Sequence, residues 1–209
     1  MDRSILPITC NNRVGRILLL GMEEIIGPQN LCVLLKRDSF PESVSIERPL
    51  SQETGIPIED LSQLQSCLEH TYGQAAGRGL AVRSGRASFK YILREFGVDL
   101  GLTGLEFRLS PLQNRLKSCC RSLADLFNQY TDQHVELELE KEYILWNNKC
   151  YPESEGIQIS PVACQLEIGL LQEALYWVSG GKTFQVEETQ CISDEYAQCM
   201  IRIRKNPIQ

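Results

Sequence analysis

Histidine is almost missing from this sequence: two among 209 residues, His70 and His134, on different predicted elements. Either could be an axial ligand to a metallated tetrapyrrole, although a lone histidine is more often an ordinary surface or core residue. A basic excess is missing too, because 21 Lys and Arg stand against 27 Asp and Glu, a formal charge of −6. That balance excludes general nucleic-acid binding, which needs cations along the phosphates. No apolar run is long. The greasiest, Ile17 to Met22, is far short of the ~20 residues that cross a bilayer. Met1 to Asn12 has no apolar core followed by a small-residue cleavage site, so no secretory signal is expected. Two glycine motifs are incomplete. Gly180-Gly-Lys-Thr183 has Tyr176 where a phosphate loop needs glycine, and Val82 stands where Gly77-Arg-Gly79 would need a third glycine to bind a dinucleotide.

What is present suffices for a core: 43% of residues are hydrophobic, in a length near that of one domain. The nine cysteines are odd in number and lie among periodic segments rather than in a short loop-rich scaffold. They read as reduced thiols in an intracellular protein. Apolar residues recur at helical spacing over Val14 to Ile26, where Gly27-Pro28 stops them, over Asn30 to Lys36 and over Leu61 to Tyr72. Between them, Asp38 to Glu59 carries Pro41, Pro49 and Pro57 and is expected to hold no packed element. Gly77, Gly79 and Gly85 are expected to interrupt the chain before an amphipathic helix over Gly85 to Phe96, and a long helix spans Pro111 to Tyr130.

After Asp132 the period changes to two: Val135, Leu137 and Leu139 alternate with Glu136, Glu138 and Glu140, and Tyr143 to Trp146 continues as a second strand. Ser160-Pro161 starts a helix that runs to Ser179, and Thr183 to Gln190 with Tyr196 to Arg204 forms a hairpin. Helices, two strands, a helix and two strands make an α+β fold, a mainly antiparallel sheet packed against long helices. Residues 1–60 read as N-terminal helices with a mobile connection, and residues 61–209 as the main domain.

The densest chemistry is C-terminal. Cys164 lies in the first turn of a helix, Glu188 and Cys191 lie in the next strand, and Cys199 follows after a seven-residue interval, close enough for a hairpin to bring the thiols together. A helix N-terminus favours the thiolate form. Three thiolates and one carboxylate would complete a closed tetrahedral zinc shell, which fastens structure and leaves no position for hydrolysis. Buried cysteines that act as small hydrophobes are the plainer alternative.

Pro161-Val-Ala-Cys164, the helix ending at Gly180-Gly181, Val186-Glu-Glu-Thr-Gln-Cys191 and Cys199 resemble the C-terminal half of the 4-vinyl reductase domain family, and Arg83-Ser-Gly-Arg86-Ala-Ser-Phe89 is similar to its middle motif. Glu195-Tyr196 departs from the family's Gly-Asp. The resemblance implies a small-molecule-binding α+β domain shaped like vesicle-tethering subunits. It also implies a zinc site on Cys164, Glu188, Cys191 and Cys199, and links to chlorophyll synthesis and photosystem assembly at a photosynthetic membrane. On it rests the leading expectation: a cytoplasmic, non-enzymatic carrier or assembly factor that encloses a tetrapyrrole or other flat apolar ligand, and that forms homodimers or meets photosystem assembly proteins. The rivals are a subunit of a chlorophyll-precursor vinyl reductase, which would need a reductant from another protein, and an interaction scaffold with a filled cavity.

Candidate pocket walls are Phe89, Phe96, Phe127, Tyr143, Trp146, Tyr176 and Trp177, with Arg86 as a polar handle, since ligand cavities combine aromatic walls with a few polar groups. Arg86, Lys90 and Arg94 recur at four-residue steps as a positive stripe that can meet propionates or an acidic partner, or simply face solvent.

Overall fold

A computed structural model describes residues 9–37, 40, 44, 55–149, 164–191, 196 and 198–208. The chain is α+β. Its elements are β1 (Thr9–Cys10), α1 (Asn12–Ile26), α2 (Pro28–Arg37), β2 (Ile56–Pro57), α3 (Ile58–Tyr72), α4 (Gln74–Phe96), α5 (Leu105–Leu109) and α6 (Leu112–Tyr130), then β3 (His134–Leu139), β4 (Tyr143–Lys149), α7 (Cys164–Ser179), β5 (Val186–Gln190) and β6 (Cys199–Arg204). The four long strands form one antiparallel sheet in the order β3-β4-β6-β5, and β1 and β2 form a separate pair. No single described helix is long and apolar enough to cross a membrane.

Local chemistry sets the helix ends. The Asn11 side chain accepts a hydrogen bond from the Arg13 amide at 2.8 Å and so caps α1. Gly27, at φ 85°, terminates α1, because only glycine takes that conformation without strain. Val14, Ile17 and Leu18 lie on the buried side of α1, which packs against α4.

Gly77, Gly79 and Gly85 do not interrupt α4, contrary to the sequence reading. The helix runs unbroken for 23 residues. An isolated helical glycine costs about 1 kcal/mol against alanine, and at Gly77 and Gly85 close packing offsets that cost. A methyl group at Gly85 would overlap the Leu166 carbonyl of α7, and one at Gly169 of α7 would overlap the Val82 carbonyl of α4. The two helices therefore touch backbone to backbone, the most extensive helix contact in the fold.

The expectation of no packed element between Asp38 and Glu59 also fails. Ile56 is 2% exposed, and Ile56–Pro57 pairs antiparallel with β1. Two residues are too few to show an alternating pattern, and so β1 and β2 leave no periodic signal. The predicted helix start at Ser160-Pro161 lies outside the described residues.

Candidate metal centre and ligand cleft

Three chain segments meet at one end of the sheet. Cys164 opens α7, Cys191 follows β5, and Cys199 opens β6, where it sits opposite Asn148 of β4. Their exposures are 2%, 6% and 1%. Sγ of Cys164 lies 4.0 Å from that of Cys191, which lies 3.7 Å from that of Cys199. With a Glu188 carboxylate oxygen, all four ligand atoms fall within 4.8 Å of one another. A tetrahedral shell with metal–sulfur bonds of ~2.3 Å separates its sulfurs by ~3.8 Å, which these thiols match.

A β-bulge makes the cluster possible. Residues three apart on a regular strand point to opposite faces, so Glu188 and Cys191 would diverge. Opposite β6, however, Glu188 pairs with Ile201 and Gln190 with Met200, which leaves Thr189 as an extra residue. That residue returns Cys191 to the face of Glu188. Gln165 Nε2 donates to Glu188 Oε2 at 3.3 Å, an outer contact of the kind that orients metal-binding carboxylates. The adjoining Cys191 and Cys199 thiols, followed by burial, push the Cys164 thiol far above its ordinary value. Without a cation the Cys164 sulfur is a neutral thiol.

The sequence-predicted aromatic residues do not share one pocket. Phe89 and Trp177 meet at a ring separation of 6.0 Å, with Phe107 stacked on Trp177 at 6.4 Å. Together with Arg86, Phe89 and Trp177 border an open cleft of about 540 Å³ between α4 and α7. Arg83 and Lys90 line the same cleft, where Arg86 pairs with Glu173 at 2.8 Å and Lys90 with Glu24 at 2.5 Å. Phe96 instead packs on Tyr130 beneath Arg13, Phe127 meets Trp146 edge-on in the core, and Tyr143 lies under Arg202. Tyr176 is exposed beside Gly181.

Sequence reasoning missed Glu167, a buried carboxyl on α7 that accepts a hydrogen bond from Asn148 Nδ2 at 2.9 Å. Burial pushes it up to about 8, and Asn148, Trp146 and Gln133 offset part of that rise. A signal was present: Glu167 shares the inward stripe of Cys164, Leu171, Ala174 and Val178.

No family model matches the chain, and no curated protein matches it in sequence. Solved structures do match. An oxygen-binding H-NOX domain related to soluble guanylate cyclases covers 95% of this chain and 97% of its own length, at 13% identity and a TM-score of 0.59. An H-NOX protein from S. oneidensis in its Fe(II)NO state covers 95% and 99%, at 12% identity and 0.63. A third, a point mutant of an H-NOX protein from K. algicida in the unliganded Fe(II) state, covers 94% and 96%, at 12% identity and 0.60. The chain therefore has the H-NOX fold. The expected place in the 4-vinyl reductase family, with its ties to chlorophyll synthesis and photosystem assembly, is corrected by these likenesses. The motifs behind that expectation are short stretches around the cysteines and one arginine-rich turn, too little to decide between families.

Other structures of this group concern heme distortion, and so the fold raises an iron-bound tetrapyrrole. The described residues do not fit one held in the core. His70 and His134 are both exposed, the latter paired with Glu136. Among the described residues, a cavity lined from α1, α3, α6 and α7 is about 30 Å³, against the ~300 Å³ or more of a usual ligand pocket.

Proposed function

We propose that the protein is a non-enzymatic binding domain that takes a flat hydrophobic acid, with a metal-free tetrapyrrole as the favoured class, in the cleft between α4 and α7. One observation carries this reading: the aromatic pair Phe89 and Trp177 borders a cleft of about 540 Å³ whose rim holds Arg83, Arg86 and Lys90. Aromatic rings provide stacking area, and guanidinium groups suit carboxylates. The described ion pairs engage Arg86 and Lys90 but not Arg83, so Arg83 is the natural seat for an incoming carboxylate. The heme named for the solved relatives supports the ligand class.

Zinc on Cys164, Glu188, Cys191 and Cys199 belongs to the same proposal, as a structural ion. The sulfur spacing supports it. The ion would tie the start of α7 to the β5–β6 pair and so hold the helix that carries Glu173 and Trp177. Titration with protoporphyrin IX, followed by quenching of tryptophan fluorescence, tests the cleft. Binding should weaken at least tenfold in Trp177→Ala and in Arg83→Ala, and equal affinity in all three proteins would refute the site. Metal analysis of the purified chain should give one zinc per protein, and its absence after zinc-replete expression would refute the ion.

A further inference from the structure

Arg86, Lys90 and Arg94 recur along one face of α4, yet their surroundings differ. Glu173 of α7 pairs with Arg86, and Glu24 of α1 pairs with Lys90. Toward Arg94, α1 presents Arg13 and Arg16 instead, and the three arginines line one partly open hollow of about 220 Å³ between the two helices. Glu95 is the one described carboxylate in that lining, and Arg13 already engages it, with Nε at 3.1 Å and Nη2 at 2.5 Å. Among the described residues no carboxylate pairs with Arg16 or Arg94. Arg16 is half-buried, and the Arg94 guanidinium lies 5.3 Å from the centre of the Tyr91 ring.

This convergence of like charges is unfavourable as it stands. Arg13 and Arg16 share a face of α1 at three-residue spacing, near a helix N-terminus whose dipole favours anions and whose first turn holds no acidic residue. Once Glu95 has cancelled Arg13, two positive charges remain in a chain of formal charge −6. A compact dianion offsets both, and guanidinium forks match the oxygens of a phosphate group. The hollow equals about seven water volumes of ~30 Å³ each, enough for a phosphate and a small organic body. Ile17 and Leu20 supply the apolar wall for that body. The Tyr91 hydroxyl donates to Glu24 at 3.1 Å, so recognition of the anion falls to the arginines. Two cations in a recess suit a single phosphate group, and the acidic chain around them disfavours a long polyanion.

We propose that the hollow between α1 and α4 is a binding site for a small, soluble phosphate monoester. Arg16 and Arg94 donate to its phosphate oxygens, its organic part rests on Ile17 and Leu20, and Arg13 keeps Glu95 neutralised beside it. The site is separate from the α4–α7 cleft and stands or falls without it.

Calorimetric titration of the full chain with phenyl phosphate tests the site. Binding should saturate at one equivalent, and Arg16→Ala and Arg94→Ala should each weaken it at least tenfold. Neither arginine serves a described ion pair, so both variants should stay folded by circular dichroism. Arg16→Lys, which keeps the charge and loses the fork, should retain part of the affinity. Phenyl sulfate, a monoanion of similar shape, should bind more weakly than the phosphate. Arg83→Ala, which alters the cleft, should bind phenyl phosphate as the wild type does, so failure of one site is distinguishable from failure of the other. Absence of saturable binding, equal affinity in the wild type and both alanine variants, or loss in Arg83→Ala alone would overturn the proposal. So would equal affinity for the sulfate. Tighter binding to phosphatidylcholine vesicles doped with phosphatidic acid than to phenyl phosphate would overturn the soluble ester in favour of a lipid headgroup.

Discussion

Glu167 and Glu173 lie less than two turns apart on α7 and have opposite surroundings. Glu173 faces the cleft, where the Arg86 guanidinium meets it at 2.8 Å in partial contact with solvent. Glu167 faces the interior, where no described cation balances it and burial pushes it up to about 8. One residue type on one helix is thus accommodated first by a counter-charge and then by a retained proton. The comparison teaches that α7 carries chemistry on both sides, and that its buried side is the more sensitive to pH and to substitution.

The strongest way to break this arrangement is to release the start of α7. Cys199→Ser should reduce bound zinc from one to near zero and lower the melting temperature by more than ~10 °C, as metal analysis and calorimetry would show. Acid should act likewise, because metal binding must displace the proton that the neighbouring thiols and burial hold on Cys164.

Glu167 sets the next effect. Its folded value of about 8 exceeds the ordinary 4.5, so between these values the native state holds a proton that the unfolded chain has lost. Its contribution is therefore complete below about pH 4.5 and declines as pH rises to about 8. The total change is at most about 5 kcal/mol. Denaturant titrations from pH 5 to 8 should show this slope in the wild type and lose it in Glu167→Gln.

Gly169→Ala should cost about 3 kcal/mol, since its methyl group meets the α4 backbone rather than a movable side chain. Trp177→Ala touches the open side of α7, so the predicted tenfold loss of porphyrin binding should come with about 1 kcal/mol of stability. Lys90→Ala, which breaks an exposed pair with Glu24, should change stability by less than ~0.5 kcal/mol, and high salt should erase the difference.

Much of the fold was legible because it is periodic. The inward stripes of α6 and α7 and the alternation through β3 identified helices and strands within a few residues of their observed limits. Glycine misled at α4, because its local effect on helix propensity is visible in sequence whereas its role as a contact with another backbone is not. The four residues of the thiol cluster were also named from the sequence, yet simple strand alternation places Glu188 and Cys191 on opposite faces. Only the pairing with β6 reveals the extra residue between them. The aromatic residues misled in another way. A hydrophobic ring packs equally well in a core or a cleft, and composition does not say which. Phe89 and Trp177 met at the cleft, while Phe127 and Trp146 became core.

Thr189 touches no sulfur, yet the position of Cys191 depends on it. Deleting that threonine would leave every candidate ligand in the sequence and the hairpin continuous, while rotating one thiol away from the others. A change in strand length alone can therefore dismantle the thiol cluster, so relatives that keep all four candidate ligands still need to be checked for the length of the strand between Glu188 and Cys191.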